Sequence, residues 1–466
     1  MKFGSAVAVA ATLVPVIAGT DGSAYAAGFS AARFGGEHGN VTTTNPTALY
    51  YNPAGIAFSD SPSGWTFFGD ATVALRQASW EHAPAPTDMP EPPGAEGATF
   101  GKATLSNRLP GGPYPGPALG ASLRLGSLAF GFGLMAPFAG EAKWDQNLKF
   151  KNDPNFPLAA GGIQRWSGTT GALTFLYVTG GIAYRRGRVA VGVTGNLIIS
   201  SLASTQSKTP VGSGEPDVTR EGTAVLAVKG IHGSFGAGVM VEAIDDRLWF
   251  GLGYQAQPQL GPMTLNGTIR TTYAGSTTLF NVDFHQALPD SLRLGGRLRA
   301  TQRLEFRLSG ELTRWSVMQS QCVGFEHELC QVDTTGADAT PKGSTIQNLR
   351  RRWKDTYGVR AGASVWVRPT VEIFAGTGFE TAAVPDATMN PGLADANHVD
   401  GALGGKFKLS DRMYLAASFT LVQFFDRDNT GKSELANYKL PTNVPDGGGK
   451  YTQRIEIFNT NLEYKF

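Results

Sequence analysis

Residues 304–312 alternate without a break, with Leu304, Phe306, Leu308, Gly310 and Leu312 at even positions and Glu305, Arg307, Ser309 and Glu311 at odd ones. Successive side chains of an extended chain point to opposite faces, so a strict period of two marks a strand that is apolar on one side and charged on the other. Residues 291–300 repeat the pattern, with Leu292, Leu294, Gly296 and Leu298 set against Arg293, Gly295, Arg297 and Arg299. Only Thr301 and Gln302 separate the two segments, a connection of hairpin length. Pairing them sets Arg293, Arg297 and Arg299 beside Glu305, Arg307 and Glu311. A soluble sandwich would bury the leucines and expose the charges; a membrane barrel turns the leucines to lipid and lines its lumen with the charges. Periodicity alone does not separate the two.

The rhythm of the connections does more. About fourteen such segments fit along the chain, an even number as single-chain barrels require. They lie near 64–82, 117–125, 127–138, 170–185, 188–204, 222–243, 246–272, 277–300, 303–318, 355–368, 370–381, 398–409, 412–426 and 451–466. Short connections (Gly126, 186–187, 244–245, 301–302, 368–369, 410–411) alternate with long ones (83–116, 139–169, 205–221, 319–354, 382–397, 427–450). Short turns at one end and long loops at the other are the habit of outer-membrane barrels. The exception is 273–276, a short turn where a long loop is due, which implies two strands that rise beyond the membrane. Trp65, Trp80, Trp249, Tyr254, Trp315, Tyr357, Trp366 and Tyr414 fall near strand ends, where interfacial girdles of aromatic residues are expected. The loop 83–116 is rich in proline and glycine, which predicts an extended, surface-lying segment.

The ends of the chain favour the membrane reading. Residues 1–26 carry an early Lys2, an apolar run over 6–18 too short to span a bilayer, and a terminal Ala24-Tyr25-Ala26. That is the pattern of a secretory signal peptide cleaved before Ala27. At the other end, Phe458, Leu462, Tyr464 and Phe466 alternate with Asn459, Asn461, Glu463 and Lys465, and the chain stops on the aromatic ring. This resembles the terminal strand of bacterial outer-membrane barrels, whose last aromatic residue is read by the barrel assembly machinery. Charged residues make up 17% of the chain, below the ~25% usual for soluble proteins. A net charge of +2 with no Lys/Arg-rich run gives no field for nucleic acid.

Little chemistry is visible. The six histidines (38, 82, 232, 285, 327 and 398) are scattered, and neither a G-x-S-x-G elbow nor a P-loop occurs. A lipase built on a barrel is therefore disfavoured, and no cofactor or metal is expected. Cys322 and Cys330 are the only cysteines, and in an exported chain they are expected to close a small disulfide loop.

Residues 27–60 fit neither strand nor helix. They repeat one device, Asn45-Pro46-Thr47-Ala48 and then Asn52-Pro53-Ala54-Gly55, in a segment that is otherwise half apolar. Asx-Pro steps favour turns, and proline cannot donate to a sheet ladder. A compact irregular segment ahead of a closed β wall predicts a plug inside the lumen.

These features together resemble the FadL/TodX family of outer-membrane transporters for hydrophobic compounds. The resemblance rests on Ala27-Gly28-Phe29, the Asn-Pro-Ala-Gly of 52–55, the stretches 288–295 with 311–316, 353–357 through Gly362, 384–388, and the final Phe466. It implies a fourteen-stranded antiparallel transmembrane barrel closed on the periplasmic side by an N-terminal hatch. It also implies lateral release of ligand through the wall at a kink in the third strand, here Pro137-Phe138-Ala139-Gly140, with Ala139 in place of the family's usual glycine. In the family the first mature residues reach the ligand pocket, which makes Phe29 the expected ligand contact. The division is then 1–26 signal peptide, 27–63 hatch and 64–466 barrel. The expected function is passive uptake of hydrophobic molecules such as long-chain fatty acids across the bacterial outer membrane, by a monomer embedded among lipid and lipopolysaccharide. Uptake of aromatic hydrocarbons is the alternative, with a general porin or an adhesin working through 319–354 behind it. A fatty-acid carboxylate would need a cation, for which Arg293, Arg297 and Arg299 are candidates unless Glu305 and Glu311 occupy them.

Overall fold

The computed structural model describes residues 33–61, 64–84, 89–105, 118–210 and 215–466. The signal segment and Phe29 lie outside the described residues. In chain order the strands are β1 (Trp65–His82), β2 (Gly101–Leu105), β3 (Ala118–Leu125), β4 (Leu128–Lys143), β5 (Thr170–Arg186), β6 (Val189–Lys208), β7 (Gly222–Ile244), β8 (Leu248–Gln255), β9 (Met263–Tyr273) and β10 (Ser276–Gln286). They continue as β11 (Ser291–Thr301), β12 (Leu304–Thr313), β13 (Ser320–Phe325), β14 (Thr345–Arg350), β15 (Thr356–Arg368), β16 (Val371–Glu380), β17 (His398–Lys408), β18 (Met413–Phe424), β19 (Arg427–Asp428) and β20 (Lys450–Lys465).

The first and last long strands pair with each other, from Thr66 opposite Lys465 to Glu81 opposite Lys450, so the sheet closes into a cylinder. The closed wall is an antiparallel barrel of fourteen staves. Four staves are built from two strands each: β8 with β9, β10 with β11, β12 with β13, and β14 with β15. β9 pairs with the first part of β7 and β8 with the last part, while β10 continues the wall beside β9 and β11 beside β8. The expected single strands 246–272 and 277–300 are thus each broken, at 256–262 and 287–290. Pro258 and Pro289 sit in these breaks, where a missing N–H does no harm. The β9–β10 turn is short, as expected, with Tyr273 directly opposite Ser276; Thr272 lies opposite Thr223, so β9 ends level with the start of β7.

The alternation has the barrel sense. Leu294 and Leu308 are 58% and 59% exposed on the outer surface, whereas their neighbours Arg293, Glu305 and Arg307 are buried inside. Outward Phe130, Val193, Leu252, Val359, Leu403 and Phe458 continue the apolar band around the cylinder. In water such a surface would be a large hydrophobic patch; in a bilayer it faces its own solvent.

Several aromatic expectations are corrected. Trp80, Trp249 and Trp315 are buried rather than placed in a girdle, while Trp65 and Tyr357 lie exposed on the outside. Trp80 shares strand parity with Asp70 and Arg76, and Trp249 with Gly251, Gly253 and Gln255, so both rings point with the polar face into the bore. The 83–116 loop is also not merely surface-lying. Its β2 joins the wall beside residues 78–82, and Met89, Ala95 and Ala98 pack with Phe150, Ala159 and Trp166 in a separate apolar cluster.

Strand β4 does not end at Phe138. It runs on to Lys143 through a bulge at which Met135 pairs with Tyr177 and Phe138 with Phe175. The extra residue reverses the inward parity, from Ala129 and Met135 before the bulge to Phe138 and Ala142 after it. Among the described residues, nothing pairs with 137–143 on the side away from β5, or with 71–77 of β1 on the side away from β20.

Candidate functional site: the occupied bore and the apolar chamber beyond it

Residues 33–61 touch the wall around the whole circumference. Gly120 of β3 meets Pro46, Gly131 of β4 and Gly181 of β5 meet Leu49, and Gly192 of β6 meets Pro53 and Ala54. Asn52 reaches β7, and Tyr51 lies against Gly253 of β8. On the opposite side Tyr50 holds Arg293 of β11, Glu37 lies over Gly362 of β15 and Gly376 of β16, and His38 meets Glu372. Arg33 pairs with Asp400 of β17, Gly36 sits by Ser418 of β18, and Asn459 of β20 bonds the Arg33 carbonyl. A short segment that touches strands on every side of a closed cylinder lies inside it.

The Asn-Pro repeat explains the segment's shape. The Asn45 Oδ1 accepts from the Thr47 N–H at 3.0 Å and the Thr47 hydroxyl at 2.6 Å, and the one-turn helix α1 (Ala48–Tyr51) follows. The Asn52 Oδ1 accepts from the Ala54 N–H at 3.2 Å and opens a 3-10 helix over Pro53–Phe58. Asn45 thus closes an Asx turn ahead of α1, whereas Asn52 caps its 3-10 helix, with Pro53 at the first position and its φ already set. Asn52 does more: its Nδ2 donates to the Val41 carbonyl at 2.8 Å and to the Val239 carbonyl of β7 at 2.9 Å, tying the segment to the wall. Gly55 is needed because a Cβ there would strike the Thr43 carbonyl.

Both chain ends of the barrel meet at the short-turn end. The Phe466 N–H donates to the Trp65 carbonyl at 3.1 Å, the Ser61 hydroxyl donates to the Phe466 carbonyl at 3.0 Å, and the Phe466 ring packs on Tyr464 and Phe67. Phe58 lies under the Arg185 guanidinium, 3.9 Å from ring centre to cation, beside the turn at Gly187. The segment therefore fills the short-turn half of the bore.

The other half is apolar. Phe138 stands among Phe175, Tyr177 and Trp315, with ring centres 6.1–6.5 Å apart, and Trp315 packs edge-on to Trp353 at 5.0 Å. Ile198, Leu226, Met263, Leu265 and Phe284 extend this cluster. A cavity of about 100 Å³ opens beside it, walled by Leu202, Leu226, Ile269, Phe284 and Val323. Gln206, Gln321, Gln347 and Arg351 form its polar edge. Gly140, past the β4 bulge, has open space where a Cβ would stand.

Two of the candidate arginines face carboxylates and the third lies over a ring. Arg293 bonds Glu311 at 2.8 Å and the Tyr50 hydroxyl at 3.0 Å. Arg297 lies 4.2 Å over the Trp249 ring, and Arg299 is 3.8 Å from Glu305. None of the three lines the cavity. Sequence reading missed Arg351, which stands in a run of charges (350–352) that reads as a solvated loop. Cys322 and Cys330 are bonded to each other, with Cα atoms 6.2 Å apart, in the β13 region of the long loops.

A closed barrel with lipid-facing leucines, an apolar chamber and its bore occupied by its own N-terminal segment is a transmembrane barrel of the outer-membrane transport class. The chain matches the model of the outer membrane protein transport protein family (OMPP1/FadL/TodX) over residues 17–466 and belongs to that family. Among solved structures it is similar to a Pseudomonas aeruginosa FadL homologue, at 16% identity over 96% of this chain and 100% of that one, with a TM-score of 0.71. It is similar also to the Pseudomonas putida toluene transporter TodX (15% identity, 96% and 99% covered, TM-score 0.62) and the Ralstonia pickettii toluene transporter TbuX (14%, 95% and 98%, 0.60). At such identities these likenesses speak for the fold alone. No curated protein matches the chain. The protein is a bacterial outer-membrane barrel of a family that transports hydrophobic compounds.

Proposed function

We propose that this protein lets apolar small molecules, long-chain fatty acids first and aromatic hydrocarbons as the alternative, cross the outer membrane passively, and that it performs no chemistry on them. Residues 27–63 act as the hatch. Ligand enters between the long loops, moves through the apolar chamber and leaves sideways at the β4 bulge, where Pro137 interrupts the ladder, Phe138 turns into the chamber and Gly140 leaves room. The protein works as a monomer, inserted by assembly machinery that reads Phe466.

One observation carries this reading: the bore is filled at one end by residues 33–61 and greasy at the other. A polar-solute porin needs an open wet lumen, which that arrangement denies. A greasy path suits a chain or ring that cannot cross a sugar-coated leaflet, since each buried CH₂ contributes about 0.8 kcal/mol. Two of the similar solved structures are toluene transporters, which is why the aromatic alternative is kept beside the fatty acid.

Uptake of labelled fatty acid and of labelled toluene, in cells with and without the protein, tests the proposal. Either compound should enter faster with it. Removing 27–60 should raise permeability to polar solutes; continued exclusion of sugars by an assembled deletion variant would show that the hatch is no stopper. The Phe29→Ala variant should assemble normally and bind apolar ligand more weakly.

A further inference from the structure

The two ends of the barrel differ in charge. The six long connections hold 17 basic and 18 acidic residues, so that end is balanced. The six short connections, taken with two residues on either side, hold ten basic residues and four acidic ones. Every short turn contributes, through Arg124, Arg186, Arg247, Arg303, Arg368 and Arg412. Short turns of outer-membrane barrels face the periplasm, so the excess lies on the periplasmic rim.

Internal pairing does not use up this charge. Arg124 donates to the Ser59 carbonyl and Arg185 lies over the Phe58 ring, so these two serve the segment inside the bore. Arg188 pairs with Asp245, Lys408 with Asp411 and Lys465 with Asp60. Of the exposed side-chain carboxylates at this end, only Asp246 is then left without a cation among the described residues. Arg186, Arg247, Arg303, Arg368 and Arg412 are exposed, and among the described residues none of them pairs with a carboxylate. One such guanidinium is a solvated side chain, but five spaced around a single rim make a field.

Parity shows where the field is aimed. Arg247, Arg303 and Arg412 stand two or four residues before the inward Trp249, Glu305 and Ala416. They continue bore-facing rows, toward the mouth that residues 33–61 fill. By contrast, Arg186 continues the outward row of Ile182 and Tyr184. A collar for the surrounding lipid headgroups would sit mainly on outward rows. A ring of fourteen staves, about 4.8 Å apart and tilted by about 40°, presents an end face of about 600 Å². That approaches the ~800 Å² each partner gives to a stable protein interface.

We propose that this rim is a docking face for a soluble periplasmic protein with an acidic surface, whose carboxylates the five free arginines take in bidentate pairs. The docking face belongs to the filled end of the barrel and holds whichever apolar compound crosses.

The test uses poly-L-glutamate as the acidic surface, titrated calorimetrically against the full barrel in nanodiscs of zwitterionic phosphatidylcholine. Wild type should bind it about tenfold or more tightly than a variant carrying Arg186→Gln, Arg247→Gln, Arg303→Gln, Arg368→Gln and Arg412→Gln. The affinity should fall steeply as salt is raised. A variant with the exposed long-loop changes Lys102→Gln, Lys151→Gln and Lys439→Gln should bind as wild type does. Equal binding by wild type and the rim variant overturns the docking face, as does an equal loss in the long-loop variant. A wild type that ignores polyglutamate, yet keeps phosphatidylglycerol through purification where the rim variant does not, assigns the collar to the lipid leaflet and overturns it too. Should the fivefold variant not assemble, the single Arg→Gln variants decide: each should weaken binding, and no change in any of them overturns the proposal.

Discussion

The segment of residues 33–61 is held by two unlike walls. Against β3 to β8 it is held mainly by shape: glycines clear the space, and Pro46, Leu49, Val41, Tyr51 and the Pro53–Ala54 backbone fill it, with the Asn52–Val239 and Arg124–Ser59 hydrogen bonds added. Against β11 to β20 and β1 it is held by charge and hydrogen bonds. Arg33 pairs with Asp400, His38 Nε2 lies 2.8 Å from Glu372, the Gly35 N–H donates to Asp70, and Lys465 pairs with Asp60. The two walls fail differently. A buried ion pair can be replaced by a matched apolar pair at little cost, but losing one partner strands a charge. A backbone-on-glycine contact offers no partner side chain to adjust, so nothing on the hatch can compensate for an added Cβ.

The largest effect is expected on the charged wall. Asp400→Ala leaves Arg33 unpaired in the interior and should destabilise the barrel by about 3–5 kcal/mol, read by urea unfolding in lipid. The double variant Arg33→Met/Asp400→Leu should recover most of that loss. If the double variant is as unstable as the single one, the ion pair is not what holds this side.

The glycine wall comes next. A Cβ on Gly253 would strike the Tyr51 carbonyl, so Gly253→Val should cost about 1–3 kcal/mol and push the segment away from β8. Liposomes carrying the variant should swell in sugar solutions that leave wild-type liposomes unaffected. Unlike Asp400→Ala, no change at Tyr51 should rescue it, because the collision is with main chain. A variant that stays closed and fully stable would remove the shape lock.

This asymmetry also marks what the sequence could show. The alternation of 291–312 foretold which side chains share a face, and the Asn-Pro repeat foretold two turns, because both are local patterns. The breaks at 256–262 and 287–290 had a local sign, Pro258, Pro262 and Pro289, which the reading of two long strands overrode; the change of neighbour, from β8 to β9 along β7, places the first of them. The parity of Trp80 with Asp70 and Arg76 was available and points inward, but lipid-interface habit outweighed it. Arg351 had no local sign at all. A charged run reads as solvated until loops and strands remote in sequence close over it.

The smallest effect sharpens the comparison most. Arg293 donates to the Tyr50 hydroxyl at 3.0 Å and to the Tyr50 carbonyl at 3.3 Å, lies 4.4 Å over its ring, and pairs with Glu311. Tyr50→Phe removes only the first of these. The guanidinium keeps its carboxylate, its carbonyl and the ring face, so no charge is stranded. The loss should be that of one hydrogen bond, about 0.5–1.5 kcal/mol, with the bore still closed to sugars. Tyr50→Leu removes the ring as well and should add about 0.5–2 kcal/mol, the worth of a cation over an aromatic face. If Tyr50→Phe instead opened the bore as Gly253→Val is expected to, a single hydroxyl would be latching the hatch, and the division into a wall of shape and a wall of redundant charge would have to be given up.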